Sequence, residues 1–193
     1  VLYVVYCNNV NRSLFFSSFD SKQGEKEQEK RWRTFKLDLC LQAARHQPQN
    51  IQQTLQKVMP DIEEYDEEKC DLLLDLCSHV KQYESNTGRS VLPALLPVYQ
   101  SVPAVWSINL SERKASLLLE VLKLQTEKKP VELIDCSDEE SEVRSFLQCL
   151  PYISQLRFKE FDSKQGEKEQ EKRWRTFKLD LCLQAALHQP QNF

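Results

Sequence analysis

Glycine is nearly missing from this chain of 193 residues, standing only at positions 24, 88 and 166. Neither G-x-G-x-x-G nor G-x-x-x-x-G-K-[ST] can therefore be written anywhere, which removes the two commonest phosphate-cradling loops. Nucleotide chemistry is not expected, and no cofactor is called for. Charge of one sign is lacking too. With 26 Lys and Arg against 29 Asp and Glu, the formal net charge is −3, so no global field draws the chain to a polyanion. No apolar run approaches the ~20 residues of a membrane span. The run from Val1 to Val5 is too short, and has no basic start, to act as a signal peptide. Neither nucleic acid nor membrane is an expected partner.

Catalytic residue types are scarce as well. Histidine occurs only at 46, 79 and 188. Cys40 and His46 share a helical stretch but lie about 120° apart around its axis, at ~100° per residue, which does not suit a nucleophile and its base. No C-x-x-C is present, and the C-x6-C-x-H spacing of Cys70, Cys77 and His79 matches no common zinc site. Acidic runs such as Glu63–Glu68 and Asp138–Glu140 read as charge at helix N-termini and on solvated faces rather than as metal carboxylates. The expectation is a protein without catalytic residues and without a metal.

What is present is the composition of a globular chain, 40% apolar and 28% charged, enough for one domain or a short run of repeats with a core. The seven cysteines (7, 40, 70, 77, 136, 149 and 182) are odd in number and mostly lie inside apolar periodic stretches. They fit a reduced, cytoplasmic chain. Starting at Val1 rather than Met, the sequence reads as a fragment.

Two repeats are visible, one inside the other. Residues 19–50 recur as 161–192, differing only at Arg45 against Leu187, an offset of 142 residues. Upstream, Val1/Val143, Cys7/Cys149, Leu14/Leu156 and Phe16/Phe158 still coincide. The chain thus holds one 142-residue unit and the beginning of the next. A tandem array is the natural reading of the parent; a single duplicated segment or two joined pieces remain open. The shorter period is 25 residues. Trp106/Val131/Leu156 and Ile108/Leu133/Phe158 superpose and alternate with period two, as half-buried strands require. Leu118/Val143, Val121/Phe146 and Leu122/Leu147 show helical spacing. Each module reads as strand, turn, helix, turn, with Ser111 and Ser137 at helix N-cap positions.

At these residues the chain resembles the leucine-rich-repeat family. Val131-x-Leu133-x-x-Cys136 is similar to the L-x-L-x-x-[NC] signature, and a Cys succeeded by a long helix is similar to the ribonuclease-inhibitor-like subtype. The stretch SDEESEVRSFLQCLPYISQLRF resembles repeats of large intracellular NACHT and leucine-rich-repeat proteins of innate immunity. The resemblance covers residues 104–161, and Ser111 and Phe161 stand where the family carries Asn or Cys. It implies an α/β, helix-rich, leucine-rich-repeat-like solenoid with short parallel strands and a helical insert. It also implies a non-enzymatic, protein-binding repeat scaffold cut from a larger tandem-repeat protein. The alternative is a regulatory or oligomerising part of a nucleotide-dependent innate-immune-type sensor. In the 25-residue register Ser107/Glu132/Arg157 and Asn109/Ile134/Lys159 point away from the helix layer, on the surface such solenoids use for partners. Glu132 and Arg157 become cross-strand neighbours of opposite charge.

The chain divides into four segments: 1–23, a partial strand and turn of a repeat; 24–103, helical; 104–161, the strand and helix modules; and 162–193, the start of a second unit. A helix over 24–46, ended before Pro48, carries Trp32, Phe35, Leu39 and Ala43 on one face, with Leu37, Leu41 and Ala44 widening it. Glu27–Arg31 and Glu29–Arg33 are i, i+4 pairs. The basic and aromatic run Lys30-Arg31-Trp32-Arg33 is neutralised by neighbouring glutamates, leaving the tryptophan as a core anchor. Asn50 is a cap for the next helix. Asp61 caps another in which Cys70, Leu73, Leu74, Cys77 and Val80 repeat, broken by Asn86-Thr87-Gly88. Pro93 and Pro97 predict a kinked or two-part helix. In the first copy of the long repeat the helix over 24–46 leads into further helical chain, which the second copy in this fragment is expected to lack. Leu179, Leu183 and Leu187 are therefore expected to be partly uncovered, and the chain to form homo-oligomers by exchanging its terminal helix.

Overall fold

The computed structural model describes residues 22–58, 66–101, 103–137, 139–159 and 167–188. The readings of residues 1–21 as strand and turn and of Asp61 as a helix cap lie outside the described residues. The chain divides into two compact units, Val1–Pro60 and Asp61–Phe193. That boundary falls inside the stretch 24–103, which sequence alone groups as one helical segment.

In the first unit, the abundance of Lys, Glu, Gln, Leu and Ala, residues that lose little freedom in a helix, yields a single helix α1, Lys22–His46. Its end is set by Pro48, since the residue before a proline is pushed out of the helical region. Gln47 accordingly sits at φ −143°, ψ 57°, its N–H still donating to Ala43 O at 2.8 Å. A 3-10 turn, Pro48–Asn50, leads into α2, Ile51–Val58. Ile51, Leu55 and Val58 are buried at i, i+4 and i+7, one apolar stripe. The two helices pack on each other, and α1 buries Leu37, Cys40, Leu41 and Ala44.

The face expected to form the core of α1 is not the buried one. Trp32 and Phe35 remain 48% and 45% exposed, their rings edge-on to each other at 5.9 Å. Orientation explains the difference: at ~100° per residue, Trp32 and Phe35 lie on the side of α1 opposite the buried Leu37 and Leu41.

The second unit begins with α3, Asp66–Thr87, whose Cys70, Leu72, Leu73, Leu74, Leu76, Cys77 and Val80 are buried. Gly88, at φ +66°, ends it in the left-handed conformation that costs glycine nothing. Just before, Glu84 turns its carboxylate onto the backbone N–H groups of Val91 and Leu92, satisfying the open N-terminus of α4, Leu92–Ser101. Instead of two parts α4 is one helix with Pro97 inside it. The Tyr99 hydroxyl, donating to Leu73 O at 3.2 Å, ties it to α3.

Three strands come next, β1 (Trp106–Asn109), β2 (Lys129–Asp135) and β3 (Ile153–Phe158). They are joined by α5, Ala115–Lys123, and α6, Glu140–Leu147, and succeeded by α7, Glu167–His188. The sheet is parallel in the order β1-β2-β3. Trp106 pairs with Val131 and Val131 with Leu156; Ile108 pairs with Leu133 and Leu133 with Phe158. The 25-residue period is thus a physical register between neighbouring strands. The matching helical positions, Leu118/Val143, Val121/Phe146 and Leu122/Leu147, are all buried, and α5 packs on α6.

The helix starts differ from the serine caps read in the sequence. Ser111 lies in a 3-10 turn, Leu110–Glu112, and Lys114 is the N-cap of α5. Ser137 Oγ accepts the Glu139 N–H at 3.2 Å, but Glu139 itself is the N-cap of α6. Beyond β3, α7 packs against α6 and buries Trp174, Phe177 and Leu181. The Trp174 ring meets Phe158 edge-on at 5.2 Å and Phe177 at 6.1 Å, and the Lys178 ammonium lies 4.1 Å from the Phe158 ring centre. The segment that opens a second 142-residue unit in sequence is therefore also the helix of the third strand and helix module.

Candidate protein-interaction surface

On the side of the sheet opposite Trp106, Ile108, Val131 and Leu133, the first predicted ladder is in register: Ser107 pairs with Glu132, and Glu132 with Arg157. Exposure grows along it. Ser107 is buried, Glu132 half-buried and Arg157 exposed. The reason is α3, which packs along β1; there the Ser107 backbone N–H donates to Cys70 Sγ at 3.3 Å. Ser107 is thereby withdrawn from the presented surface. Arg157 does not close an ion pair with Glu132, because its guanidinium donates to Gln155 Oε1 at 3.1 and 2.8 Å.

The second ladder shifts. After Ile108 the register slips, so that Asn109 pairs with Asp135 rather than Ile134. Asn109 causes this locally: its Oδ1 accepts the Ser111 N–H at 3.0 Å and the Ser111 hydroxyl at 2.6 Å, an Asx turn that bends the chain out of the strand. Ile134 is buried and leaves the surface as well. Lys159 stays exposed, with its ammonium 3.8 Å from Glu67. The presented patch is Asn109, Glu132, Arg157 and Lys159, joined by Gln155 and Asp135; Asp135 pairs with Arg173 of α7 at 3.2 Å.

A polar clamp, unforeseen in the sequence, holds the loops that lie after β1 and β2. Arg113, in the left-handed region at φ 59°, bridges to Glu139 of the next module. Lys114 is enclosed by Asp71, Asp75 at 3.4 Å and Glu112 at 3.0 Å. Burial alone would lower its pKa; the hydrogen bonds its ammonium donates to Asp71 and Glu112, with the charges of Asp71 and Asp75, outweigh that and raise it. Glu142, 7% exposed, reaches back from α6 to accept the Ala115 N–H at the start of α5, at 2.6 Å. Burial pushes its pKa up, against the lowering effect of that hydrogen bond. The sequence does carry a signal for the clamp: Arg113-Lys114 and Asp138-Glu139 occupy the same positions of consecutive modules, cations over carboxylates.

Burial raises the Cys40 and Cys149 thiols to about 12 and Cys77 to about 11, so none is a ready nucleophile. Among the described residues no three of His, Cys, Asp and Glu converge as metal ligands, and no described helix is long and apolar enough to cross a membrane. The remaining predicted residues, Leu179, Leu183 and Leu187, lie together on the outer face of α7, 57–64% exposed. No protein-family model, curated protein or solved structure matches the chain.

Proposed function

We propose that the chain is a leucine-rich-repeat-like scaffold that binds another protein through the polar side of its parallel sheet. The observation that carries this reading is the 25-residue register of Trp106, Val131 and Leu156 across three adjacent strands. A single module cannot bury its own apolar stripe, so modules stack, and stacking leaves a row of aligned side chains facing outward. Here that row is Asn109, Glu132, Arg157 and Lys159. It carries both charge signs, and the Arg113–Glu139 and Lys114 clamps keep the strands beneath it in register. Such a patch suits a partner segment of mixed charge and a modest, exchangeable interface. Cys40, Cys77, Cys149 and Cys182 are free thiols, which supports a reducing compartment.

The test is quantitative affinity capture from the cell of origin with the intact chain. Reversing two exposed charges by Arg157→Glu with Lys159→Glu is expected to reduce recovery of bound proteins by about tenfold. Lys123→Glu, on the helix side, is expected to change it less than about twofold. Recovery that ignores the sheet-side reversal but falls with the helix-side one contradicts the proposal.

A further inference from the structure

Arginine stands three residues before a hydroxyl three times in the chain, at Arg31/Thr34, Arg113/Ser116 and Arg173/Thr176, and a large apolar residue comes directly after each hydroxyl: Phe35, Leu117 and Phe177. Arginine-directed serine and threonine kinases read this pattern, holding the guanidinium on carboxylates and the apolar side chain in a pocket. They thread the acceptor segment in extended form. Within a folded chain such a site is therefore usable only where the backbone around it opens at low cost.

The structure separates the three. Beside Ser116, Arg113 bridges to Glu139, Lys114 lies among Asp71, Asp75 and Glu112, and Ala115 is buried with its N–H on Glu142. Around Thr176, Trp174 and Phe177 are buried, the Trp174 ring is edge-on to Phe158, and Arg173 pairs with Asp135 at 3.2 Å. Opening either segment uncovers core. Thr34 stands in another setting. Between Lys26 and Phe35 every residue except Arg33 is exposed. Arg31 pairs with Glu27 at 3.8 Å while 80% exposed, and the Thr34 hydroxyl donates to Lys30 O at 3.0 Å. Both contacts lie within about one turn of α1, and a helical stretch with so little packing is marginal in water.

We propose that Thr34 is a phosphorylation site for an arginine-directed kinase, and that the identical sequence around Thr176 is kept unmodified by its packing. The Thr34 Oγ1 attacks the γ-phosphorus of ATP, the bond to the bridging oxygen breaks, ADP leaves with the electron pair, and the hydroxyl proton passes to the kinase's carboxylate. The phosphate adds nearly two negative charges one turn after Lys30 and Arg31, about halving the positive charge of the run from Lys30 to Lys36.

The test uses the intact reduced chain, ATP with magnesium, and the catalytic subunit of cyclic-AMP-dependent protein kinase as the probe. Cleavage after glutamate separates the two copies as residues 30–63 and 172–193, told apart by Arg45 and Leu187, and releases Ser116 within 113–120. Mass spectrometry then reads each site. Since the sequences around Thr34 and Thr176 are the same, a difference in their rates is a property of the fold. Thr34 is expected to be modified at least about tenfold faster than Thr176 or Ser116. Arg31→Ala, at an exposed position, is expected to keep the helical circular dichroism and slow Thr34 by about tenfold. Phe158→Ala, which removes the ring beside Trp174, is expected to raise the rate at Thr176 by about fivefold or more. Absence of phosphate on Thr34, equal rates at Thr34 and Thr176, a Thr34 rate indifferent to Arg31→Ala, or a Thr176 rate unmoved by Phe158→Ala would each overturn the proposal.

Discussion

Helices α1 and α7 carry nearly the same sequence and bury opposite sides. In α1 the core is Leu37, Cys40, Leu41 and Ala44, with Trp32 and Phe35 half exposed. In α7 Trp174, Phe177 and Leu181 are buried, while Leu179, Cys182 and Leu183 face outward. Even equivalent arginines differ in partner: Arg31 reaches Glu27 on its own helix at 3.8 Å, whereas Arg173 reaches Asp135 of β2 at 3.2 Å. The sequence supplies two apolar stripes, and the neighbour selects between them. An aliphatic helix, α2, takes the leucine stripe; an edge strand ending in Phe158 takes the aromatic one. In a tandem array, where a single helix closes one unit and opens the next, both stripes would be used at once.

The comparison breaks most readily at its cysteines. Cys40, buried with its thiol raised to about 12, has a thiolate fraction at pH 8 on the order of 10⁻⁴, whereas Cys182 is exposed. At chain concentrations below about 1 μM, alkylation with peptide mass spectrometry as the readout is expected to modify Cys182 at least about a hundredfold faster than Cys40. Equal rates would mean that the two copies are not packed differently.

Mirror-image substitutions come next in size. Trp174→Ala removes a buried ring and is expected to cost about 3–4 kcal/mol, against less than about 1 kcal/mol for Trp32→Ala. Leu41→Ala is expected to cost about 2–3 kcal/mol, and its equivalent Leu183→Ala less than about 0.5 kcal/mol at dilutions where the chain is monomeric. Urea titrations monitored by circular dichroism measure all four. The same order of costs in both copies would contradict the role given to the neighbours.

The smallest effect isolates the stack beneath α7 from α1. Glu142 is a carboxyl whose folded pKa is raised, chiefly by burial. Its protonation therefore favours the fold: the contribution is fully present below the ordinary value of 4.5 and is lost as pH rises through the raised folded value. Glu142→Gln keeps an acceptor for the Ala115 N–H and should change stability at neutral pH by no more than about 1 kcal/mol. It should also abolish that part of the pH dependence in melts of the second unit, leaving the first unit unchanged.

How much of the fold is legible in the sequence depends on which forces are local. Strand register is legible because the period-two alternation of Trp106 with Ile108 and of Val131 with Leu133, and the helical spacing of Leu118, Val121 and Leu122, are properties of nearby residues that recur every 25 positions. The ends of α1 and α3 are legible in Pro48 and Gly88 for the same reason. Which stripe of α1 or α7 is buried is not, since it depends on the side to which α2 docks and on the position of Phe158. The surface ladder is half legible: Glu132 and Arg157 stand where the register puts them, but the burial of Ser107 by α3 and the Asn109 turn that shifts Ile134 inward are tertiary events. Lys114 and Glu142 escape a sequence reading because each acts on an element other than its own.

The proposed scaffold requires modules of 25 residues to stack as interchangeable layers, and inserting a second copy of residues 131–155 between Gln155 and Leu156 tests it. The lengthened chain is expected to remain folded, to unfold in urea with a steeper slope in proportion to the added buried surface, and to keep Trp174 protected beside Phe158. A chain that loses cooperative unfolding, or in which Trp174 becomes solvent-exposed, would show that the strands are not interchangeable layers.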